Sequence, residues 1–290
     1  MSGTIWTTLG DHEVNWNPMP FSNQIVLVTG AGRGIGQATA IKFASAGASL
    51  VLSDIDESSL GETKALLPAE TETLALAMDL TADQAPQAVV EAAIHRFGRV
   101  DVVVNNAGYI WNGAMHRHTD EQWWAMLEIH ATVPFKLLQA YADWMIPQAK
   151  SEIAASGTAL VRKVVNVSSV SGTLGSATQV AYSSGKAAVL GLTKTLAKEW
   201  GRYNVQVNAV AFGHIETRLT QPYEGAPPSI DHDGHRYKVG LSTDQLAHLE
   251  RSVPLGRAGQ VEEAAGAILL MALPESNYIT GEVLTCSGGA

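Results

Sequence analysis

The sequence predicts an α/β fold with a doubly wound parallel sheet and helices on both faces. Two observations support this prediction. Short, almost wholly apolar segments recur along the chain, as parallel strands buried on both faces require. Segments with helical spacing lie between them, and regular strand–helix alternation implies right-handed crossover connections within one sheet.

The apolar segments are assigned as strands in chain order. They are Ile25–Val28, Ser49–Leu52, Leu74–Ala77, Val100–Val104, Val164–Val167, Val205–Val210 and, as a last edge strand, Glu282–Thr285. Helical spacing is clearest over Ile35–Ala46, Pro86–Phe97 and Tyr182–Trp200.

The strand–helix pattern also predicts the domain organisation. Residues 1–22 are polar and rich in turn-forming residues, so we expect an N-terminal extension outside the core. Residues 23–290 contain no internal repeat and no linker and are predicted to form one domain. The pattern is broken between residues 218 and 240, where prolines and glycines predict an irregular excursion. Long loops in compact domains are often functional.

Composition limits the class of protein. With 46% hydrophobic and 16% charged residues, the 290-residue chain can bury a large core, unlike a disordered protein. A formal net charge of −9 argues against nucleic acid as the main partner, because phosphate backbones require a basic surface.

The cysteine count and the apolar runs indicate the compartment. The one cysteine, Cys286, forms no intrachain disulfide and no thiolate metal cage, which fits a reducing cytoplasm. No basic segment followed by an apolar stretch begins the chain, and no apolar run approaches the roughly 20 residues that span a bilayer. We therefore expect a cytoplasmic protein without a membrane partner.

A glycine-rich segment, Thr29–Gly36, joins the first predicted strand to the first predicted helix. Glycines permit a tight turn and let a pyrophosphate approach main-chain N–H groups, and the helix N-terminus adds partial positive charge. A single glycine-rich turn is weak support, because any tight connection can contain two glycines. Its position here favours a dinucleotide site. The residues assigned to it are Gly30, Arg33, Gly34, Ile35 and Gly36.

Asp54, at the tip of the second predicted strand, bears on the choice of dinucleotide. Its carboxylate can accept hydrogen bonds from the adenosine ribose hydroxyls and repels a 2′-phosphate. The alternative role is a turn residue that caps the strand. Arg33 acts in the opposite direction, because a guanidinium can bind a 2′-phosphate. The balance favours NAD(H), and NADP(H) remains the alternative.

Two further segments follow predicted strands at the same edge of the sheet. Asp79 and Leu80, after the third strand, are placed to meet the adenine. The fourth strand is followed by small residues and amides that can lie beside the cofactor, namely Asn106, Ala107 and Gly108.

Tyr182 and Lys186 are the candidate catalytic pair. A separation of four places them on one face of a predicted helix. A free tyrosine has a pKa of about 10, and a nearby ammonium or an oxidised nicotinamide would lower it. Ser169, just past a buried strand, can donate a hydrogen bond to a substrate oxygen. A Tyr-x-x-x-Lys pair also occurs by chance on exposed helices, but the preceding strand and upstream glycine loop favour an acid/base role for Tyr182.

These motifs together resemble the short-chain dehydrogenase/reductase family in its compact single-domain branch. The resemblance covers about Ser22 to Ala290 and rests on motifs that are specific in combination. They are TGxxxGxG at Thr29–Gly36, NNAG at Asn105–Gly108, the serine at Ser169, YxxxK at Tyr182–Lys186 and the terminal Gly288–Gly289.

The resemblance implies a seven-stranded Rossmann-like sheet, an NAD(P)-dependent catalytic domain over residues 23–290, and a homotetramer, or homodimer, formed through two long helices. It implies that Ser169 polarises the substrate oxygen, Tyr182 exchanges the proton and Lys186 tunes Tyr182 while binding the cofactor. Ile215 and Thr217 match positions that meet the nicotinamide carboxamide. Residues 218–250 correspond to the substrate loop.

Three positions depart from the family pattern. His130 stands where a supporting asparagine is usual, either as a link in a proton relay or as a buried filler. Phe212-Gly213 replaces Pro-Gly, with Gly213 beside the cofactor. The variable loop contains His232, Asp233 and His235, which we interpret, like His116 and His118, as solvated residues; no metal site is expected.

Three functions are consistent with the sequence. The leading one is oxidation of a secondary alcohol or reduction of a ketone, with a small molecule as substrate. A 3-oxoacyl-thioester reductase resembles this chain too, but it would use NADPH and a basic surface for an acyl carrier, which Asp54 and the acidic charge oppose. A catalytically silent dinucleotide sensor fits the replaced asparagine, but does not need Ser169, Tyr182 and Lys186 together.

Overall fold

In the computed structural model, the described residues are 19–217, 222–223, 229–232, 235–238, 240–243 and 251–290. The strands are β1 (Ile25–Thr29), β2 (Ser49–Asp54), β3 (Thr73–Ala77), β4 (Val102–Asn105), β5 (Arg162–Ser169), β6 (Val205–Phe212), β7 (Pro222–Tyr223), β8 (Ser229–His232), β9 (His235–Lys238), β10 (Leu241–Ser242) and β11 (Val283–Cys286). The main sheet has the order β11-β6-β5-β4-β1-β2-β3, and its paired strands are parallel. The predicted doubly wound, seven-stranded α/β sheet is therefore confirmed.

Helices connect these strands. They are α1 (Gly34–Ser45), α2 (Glu57–Ala65), α3 (Ala85–Phe97), α4 (Asp120–Leu127), α5 (Val133–Ser156), α6 (Val170–Leu174), α7 (Val180–Trp200) and α8 (Val261–Ala272). A single π-helical turn, Glu128–Thr132, joins α4 to α5. Short 3₁₀ turns occur at Met115–Arg117, Gly201–Tyr203 and Pro274–Ser276.

The core consists of two apolar layers, one on each face of the sheet. One layer contains Val89 of α3, Leu137 of α5 and Ala197 of α7. The other contains Phe43 of α1 and Ile268 of α8. Burial on both faces explains why the strands β1 and β4 are apolar at nearly every position.

The structured domain begins earlier than the predicted boundary between residues 22 and 23. Phe21 is fully buried, and its ring packs edge-on against Phe43 with 4.8 Å between centroids. This residue therefore belongs to the core rather than to an extension. Residues 1–18 of the predicted extension lie outside the described residues.

The segment predicted as irregular contains regular backbone structure. β8 and β9 form an antiparallel hairpin, and β7 pairs with β10 in parallel. Proline lacks the backbone N–H that donates to a neighbouring strand. Strands of two to four residues need few such hydrogen bonds, so the prolines and glycines of this segment are compatible with them. The remaining residues between 218 and 250, among them Asp233, lie outside the described residues.

The sheet order determines where a ligand can bind. β1 lies between β2 and β4. From β1 the chain adds β2 and β3 on one side of the sheet, and it then crosses to add β4, β5 and β6 on the other side. In open α/β sheets, ligands bind beyond the carboxyl ends of the strands at this switch point. Among the described residues, no helix is long and apolar enough to cross a membrane.

Candidate active site

The glycine loop between β1 and α1 is held in place by the end of β4. The Asn106 amide donates to the carbonyls of Thr29 (3.0 Å) and Gly30 (3.1 Å). The Thr29 hydroxyl accepts from the backbone N–H groups of Asn106 and Ala107, each at 3.0 Å. Thr29 was not assigned a role from the sequence, although it occupies the first position of the TGxxxGxG motif.

Two glycines in this loop are required by close backbone approach. A Cβ on Gly36 would lie 1.9 Å from the Gly30 carbonyl oxygen, and one on Gly30 would lie 2.8 Å from the Cα of Ala107. Gly30 also has a φ of +63°, which side-chain-bearing residues rarely adopt. The predicted residues Gly30, Gly36, Asn106 and Ala107 thus pack closely together.

The N-terminus of α1 fits a dinucleotide pyrophosphate. Its N-cap residue, Arg33, makes no side-chain capping hydrogen bond, and the first turn contains no acidic residue. The first backbone N–H groups of a helix lack intrahelical acceptors, and the helix dipole favours an anion there. Gly34 and Ile35 form the first turn of this helix.

Asp54 faces the glycine loop. Its Oδ2 accepts from the Gly32 N–H at 2.8 Å, and its Oδ1 accepts from the Asp56 N–H at 3.1 Å. Asp54 is the last residue of β2, at the edge of the sheet where the ribose of a bound dinucleotide is expected.

The other predicted cofactor residues have varied surroundings. Asp79 accepts hydrogen bonds from the backbone N–H (2.9 Å) and hydroxyl (2.7 Å) of Thr81, and Leu80 is buried in the core. A Cβ on Gly213 would lie 2.7 Å from the Cβ of Ser287, so packing there requires glycine. Ile215 is buried, and its backbone bridges to Gly259.

Thr217 approaches the glycine loop from the other side. A Cβ built on Gly34 would lie 3.7 Å from the Cγ2 of Thr217. The segment after β6 and the first turn of α1 therefore flank the same space beyond the sheet.

The candidate catalytic residues meet at the carboxyl edge of β5. Ser169 ends β5, and its hydroxyl donates to the Phe212 carbonyl (3.3 Å) and accepts from the Ser171 N–H (3.1 Å). Tyr182 and Lys186 lie in the first turns of α7, with the Lys186 Nζ 5.9 Å from the centre of the Tyr182 ring. The structure thus brings together the three residues that the sequence predicted.

Burial controls the ionisation of this pair. Desolvation raises the pKa of Tyr182 to about 12, and the hydrogen bond with Ser169 opposes this rise. Desolvation lowers the pKa of Lys186 to about 7. Without a bound cofactor, burial is the largest influence on the Tyr182 pKa, and burial also disfavours the charge on Lys186.

Buried polar contacts hold α7 against the sheet. The Lys186 Nζ donates to the Val167 carbonyl at 2.8 Å, and the Ser168 hydroxyl donates to the Lys186 carbonyl at 2.8 Å. Farther along α7, the Asn166 amide donates to the Thr193 hydroxyl at 2.9 Å. These bonds join the strand that ends in Ser169 to the helix that contains Tyr182.

His130 lies in the π-helical turn, buried behind Tyr182. The two rings are perpendicular with centroids 5.0 Å apart. Gly108 and Gly185 make room for the His130 side chain. A Cβ on Gly108 would lie 2.3 Å from the Cε1 of His130, and a Cβ on Gly185 would lie 2.9 Å from the Cβ of His130. Gly108, a predicted cofactor neighbour, lies against the His130 ring.

The protonation state of His130 follows from its contacts. Burial, followed by the neighbouring charge of Lys186, lowers its pKa well below the usual value. Its Nε2 lies 2.7 Å from the Tyr109 carbonyl oxygen, which can only accept, so the neutral ring has its hydrogen on Nε2. The buried Nδ1 has no hydrogen-bond partner among the described residues.

A second group of polar residues borders the site and was not identified from the sequence. The Ser171 hydroxyl makes hydrogen bonds with the Ser176 hydroxyl (3.0 Å) and the Gln179 amide oxygen (2.9 Å). Next to Gln179, the Thr178 carbonyl accepts from the Gly113 N–H at 2.8 Å. Gln179 lies three residues before Tyr182, and this position is the sequence signal that could have identified the group.

Comparison with known proteins agrees with this geometry. A family model described as short chain dehydrogenase matches residues 24–227. The chain belongs to the short-chain dehydrogenase/reductase family. As a member of this family, it is an oxidoreductase that uses NAD(P)(H).

Individual relatives match over nearly the whole chain. The 3-oxoacyl-[acyl-carrier-protein] reductase FabG of Thermotoga maritima is 36% identical over 274 residues, covering 93% of this chain and 99% of that protein. An uncharacterized oxidoreductase of the same organism is 33% identical over 272 residues, with coverage of 94% and 99%. The crystal structure of levodione reductase is 27% identical with a TM-score of 0.79, covering 93% and 98% of the two chains.

Lys186→Met should stabilise the fold while removing a group needed at the site. Replacing a buried charged group by an apolar one of similar volume is often stabilising, so we expect the free energy of unfolding at about pH 6 to rise by about 1 kcal/mol. The Lys186 pKa is about 7 in the folded protein and 10.5 ordinarily. Between these two pH values, Lys186 is protonated in the unfolded chain but largely neutral in the folded protein. The unmodified protein should therefore gain stability with rising pH over this window, and Lys186→Met should lack that gain.

Urea denaturation at about pH 6 and about pH 9 measures both effects. Lys198→Met, at an exposed position on the same helix, is the matched control and should leave the pH dependence unchanged. A Lys186→Met protein that is less stable than the unmodified one at about pH 6 would show that the amine stabilises the fold instead.

Proposed function

We propose that this oxidoreductase transfers a hydride between NAD(H) and a secondary alcohol or ketone, with Tyr182 as the acid/base. The observation that supports this most directly is the meeting of Ser169, Tyr182 and Lys186 beyond the end of β5, on the edge of the sheet that also holds the glycine loop. A protein that only binds a dinucleotide does not require this buried triad.

Each residue has a distinct role in this proposal. The Ser169 hydroxyl donates to the substrate oxygen and polarises its bond to carbon. Tyr182 removes the alcohol proton during oxidation and returns it during reduction. Lys186 adjusts the Tyr182 pKa and holds the nicotinamide ribose. NAD supplies the hydride acceptor and, in its oxidised form, a positive charge.

The cofactor contacts are assigned by position. The backbone of Gly30, Arg33, Gly34, Ile35 and Gly36 holds the pyrophosphate, and Asp54 holds the adenosine ribose. The remaining cofactor neighbours are Asp79, Leu80, Asn106, Ala107, Gly108, Gly213, Ile215 and Thr217. The Asp54 carboxylate supports NAD(H) over NADP(H), because it repels a 2′-phosphate.

The proposal also covers the substrate size, the cellular compartment and the oligomeric state. Its substrate is a small molecule, with residues 218–250 as the substrate loop, and it functions in the cytoplasm as a homotetramer or homodimer. The support is the full-length similarity to relatives of one compact family.

A second candidate is reduction of a 3-oxoacyl thioester. The relative from Thermotoga maritima named as such a reductase supports it. The net charge of −9 opposes docking of an acidic carrier protein, and Asp54 opposes the use of NADPH. Parallel assays decide between them: a panel of secondary alcohols with NAD⁺ and NADP⁺, and a 3-oxoacyl thioester with NADH and NADPH. The thioester as the best substrate would replace the leading proposal.

Tyr182→Phe tests the acid/base assignment. Removing only the hydroxyl should lower kcat by at least about 100-fold, the usual scale for loss of a positioned acid/base, while the Kd for NADH changes little. Turnover and nicotinamide fluorescence titrations measure the two quantities. Thr193→Ser, which keeps a hydroxyl on the buried face of the same helix, is the control. Retained turnover in Tyr182→Phe would exclude the assigned role.

We also propose a proton relay through His130, in which only one of its two ring nitrogens can accept a proton. Because the Nε2 hydrogen is directed at the Tyr109 carbonyl, which cannot take up a proton, transfer has to use Nδ1. The buried Nδ1 has no hydrogen-bond partner in the part of the chain that the structure describes, so it is the nitrogen left to accept a proton. A filler role, by contrast, requires only the shape of the ring between Gly108 and Gly185.

His130→Asn distinguishes these roles. If His130 relays protons, the pH profile of kcat should change its apparent pKa while the melting temperature stays within a few degrees. If it only fills space, the melting temperature should fall and the pH profile should overlay that of the unmodified enzyme. An unchanged pH profile would therefore contradict the relay.

A further inference from the structure

We propose that Asp56 is a second determinant of cofactor choice, which acts by binding the Arg33 guanidinium that would otherwise be available to a 2′-phosphate. This inference rests on the proposed dinucleotide site and adds a residue to it. Asp54 discriminates through its own charge. Asp56, two residues later in the chain, discriminates by occupying the one cation of the glycine loop.

The starting point is the position of Arg33. It lies in the glycine loop and precedes α1, next to Gly32, whose N–H is bound by Asp54. A 2′-phosphate on a ribose bound at Asp54 would therefore lie close to this residue. A guanidinium placed there binds phosphate well when its donors are available.

Two nitrogens of the Arg33 guanidinium already have partners. Its Nε donates to the Ser59 hydroxyl at 2.6 Å, and its terminal nitrogen Nη2 forms an ion pair with Oδ2 of Asp56. Two partners on the start of α2 thus hold the guanidinium toward that helix.

Asp56 cannot easily release Arg33, because the same carboxylate caps a helix. Its Oδ1 accepts from the Ser59 N–H at 3.2 Å at the N-terminus of α2. One oxygen is fixed by the cap while the other faces Arg33. The hydrogen bonds with Ser59 lower the pKa of Asp56, so the carboxylate is charged at neutral pH.

The balance of charge then disfavours a phosphate. Asp54 and Asp56 place two negative charges beside one positive charge, and a 2′-phosphate has to compete with Asp56 for the Arg33 guanidinium. The ion pair is solvent-exposed, with side-chain exposures of 47% and 38%. Exposed pairs are worth up to about 1 kcal/mol, so releasing Arg33 should change NADPH affinity by about fivefold.

Asp56→Asn isolates this effect. Asparagine caps a helix as well as aspartate does, so α2 should be retained while the carboxylate that holds Arg33 is lost. We expect the Kd for NADPH to fall by about fivefold and the Kd for NADH to stay within about twofold. Nicotinamide fluorescence titration measures both constants, and thermal melting confirms that the variant is folded.

Two further variants separate the proposed cause from a general effect of charge. Glu57→Gln removes the same charge at the next position, where the side chain is exposed and is not among the hydrogen-bond partners of Arg33. It should leave the Kd for NADPH within about twofold. In Arg33→Met/Asp56→Asn, the gain in NADPH affinity should disappear.

Several results would overturn the inference. They are an unchanged Kd for NADPH in Asp56→Asn, an equal gain in Glu57→Gln, and a gain that persists without Arg33. If the unmodified protein binds NADH while Asp56→Asn shows no effect, this inference alone fails. If the unmodified protein binds neither dinucleotide, the proposed function fails with it.

Discussion

The burial of Lys186 and Tyr182 beside β5 is the constraint on which the active site depends. Each side chain loses its water, and desolvation moves both pKa values toward the neutral forms, to about 7 for the amine and about 12 for the phenol. The fold supplies one carbonyl, that of Val167, to the amine. A neutral phenol is a proton donor that is ready for ketone reduction, whereas alcohol oxidation requires an added positive charge nearby to favour the phenolate.

The architecture explains how that charge is delivered. The glycine loop, the end of β4 and the segment after β6 converge at the switch point of the sheet, and the buried pair lies on the same edge, beside the end of β5. In the proposed function, a dinucleotide with its pyrophosphate on α1 extends toward Ser169 and Tyr182. Under this proposal, binding of an oxidised nicotinamide and ionisation of Tyr182 are coupled, and each should strengthen the other.

Much of this could be predicted from sequence because the signals are local. Each of β1, β2, β4, β5 and β6 contains a group of apolar residues, so these strands were located within a few residues of their observed bounds. The separation of Tyr182 from Lys186 matches one helical turn, which makes their adjacency a consequence of helix geometry. The glycine loop was identifiable because tight backbone approach leaves few alternatives to glycine.

Other features depend on contacts between distant residues and leave no periodic signal. The π-helical turn at His130 interrupts a continuous helical pattern, and its packing against Gly108 and Gly185 is visible only once the chain is folded. The binding of Arg33 by Asp56 and Ser59 requires knowing that α2 begins beside the glycine loop. The pKa of Lys186 is set by burial, which spacing alone does not reveal.

The central claim, that burial holds the Tyr182 phenol neutral until the oxidised cofactor shifts it, is tested most directly by titrating that phenol. The measurement is the ultraviolet difference spectrum of phenolate formation, with the Tyr182→Phe protein subtracted, recorded with and without saturating NAD⁺. The account predicts that the Tyr182 pKa of the protein alone lies near 12 and falls by several units with NAD⁺. A Tyr182 pKa that is the same with and without NAD⁺ would contradict it.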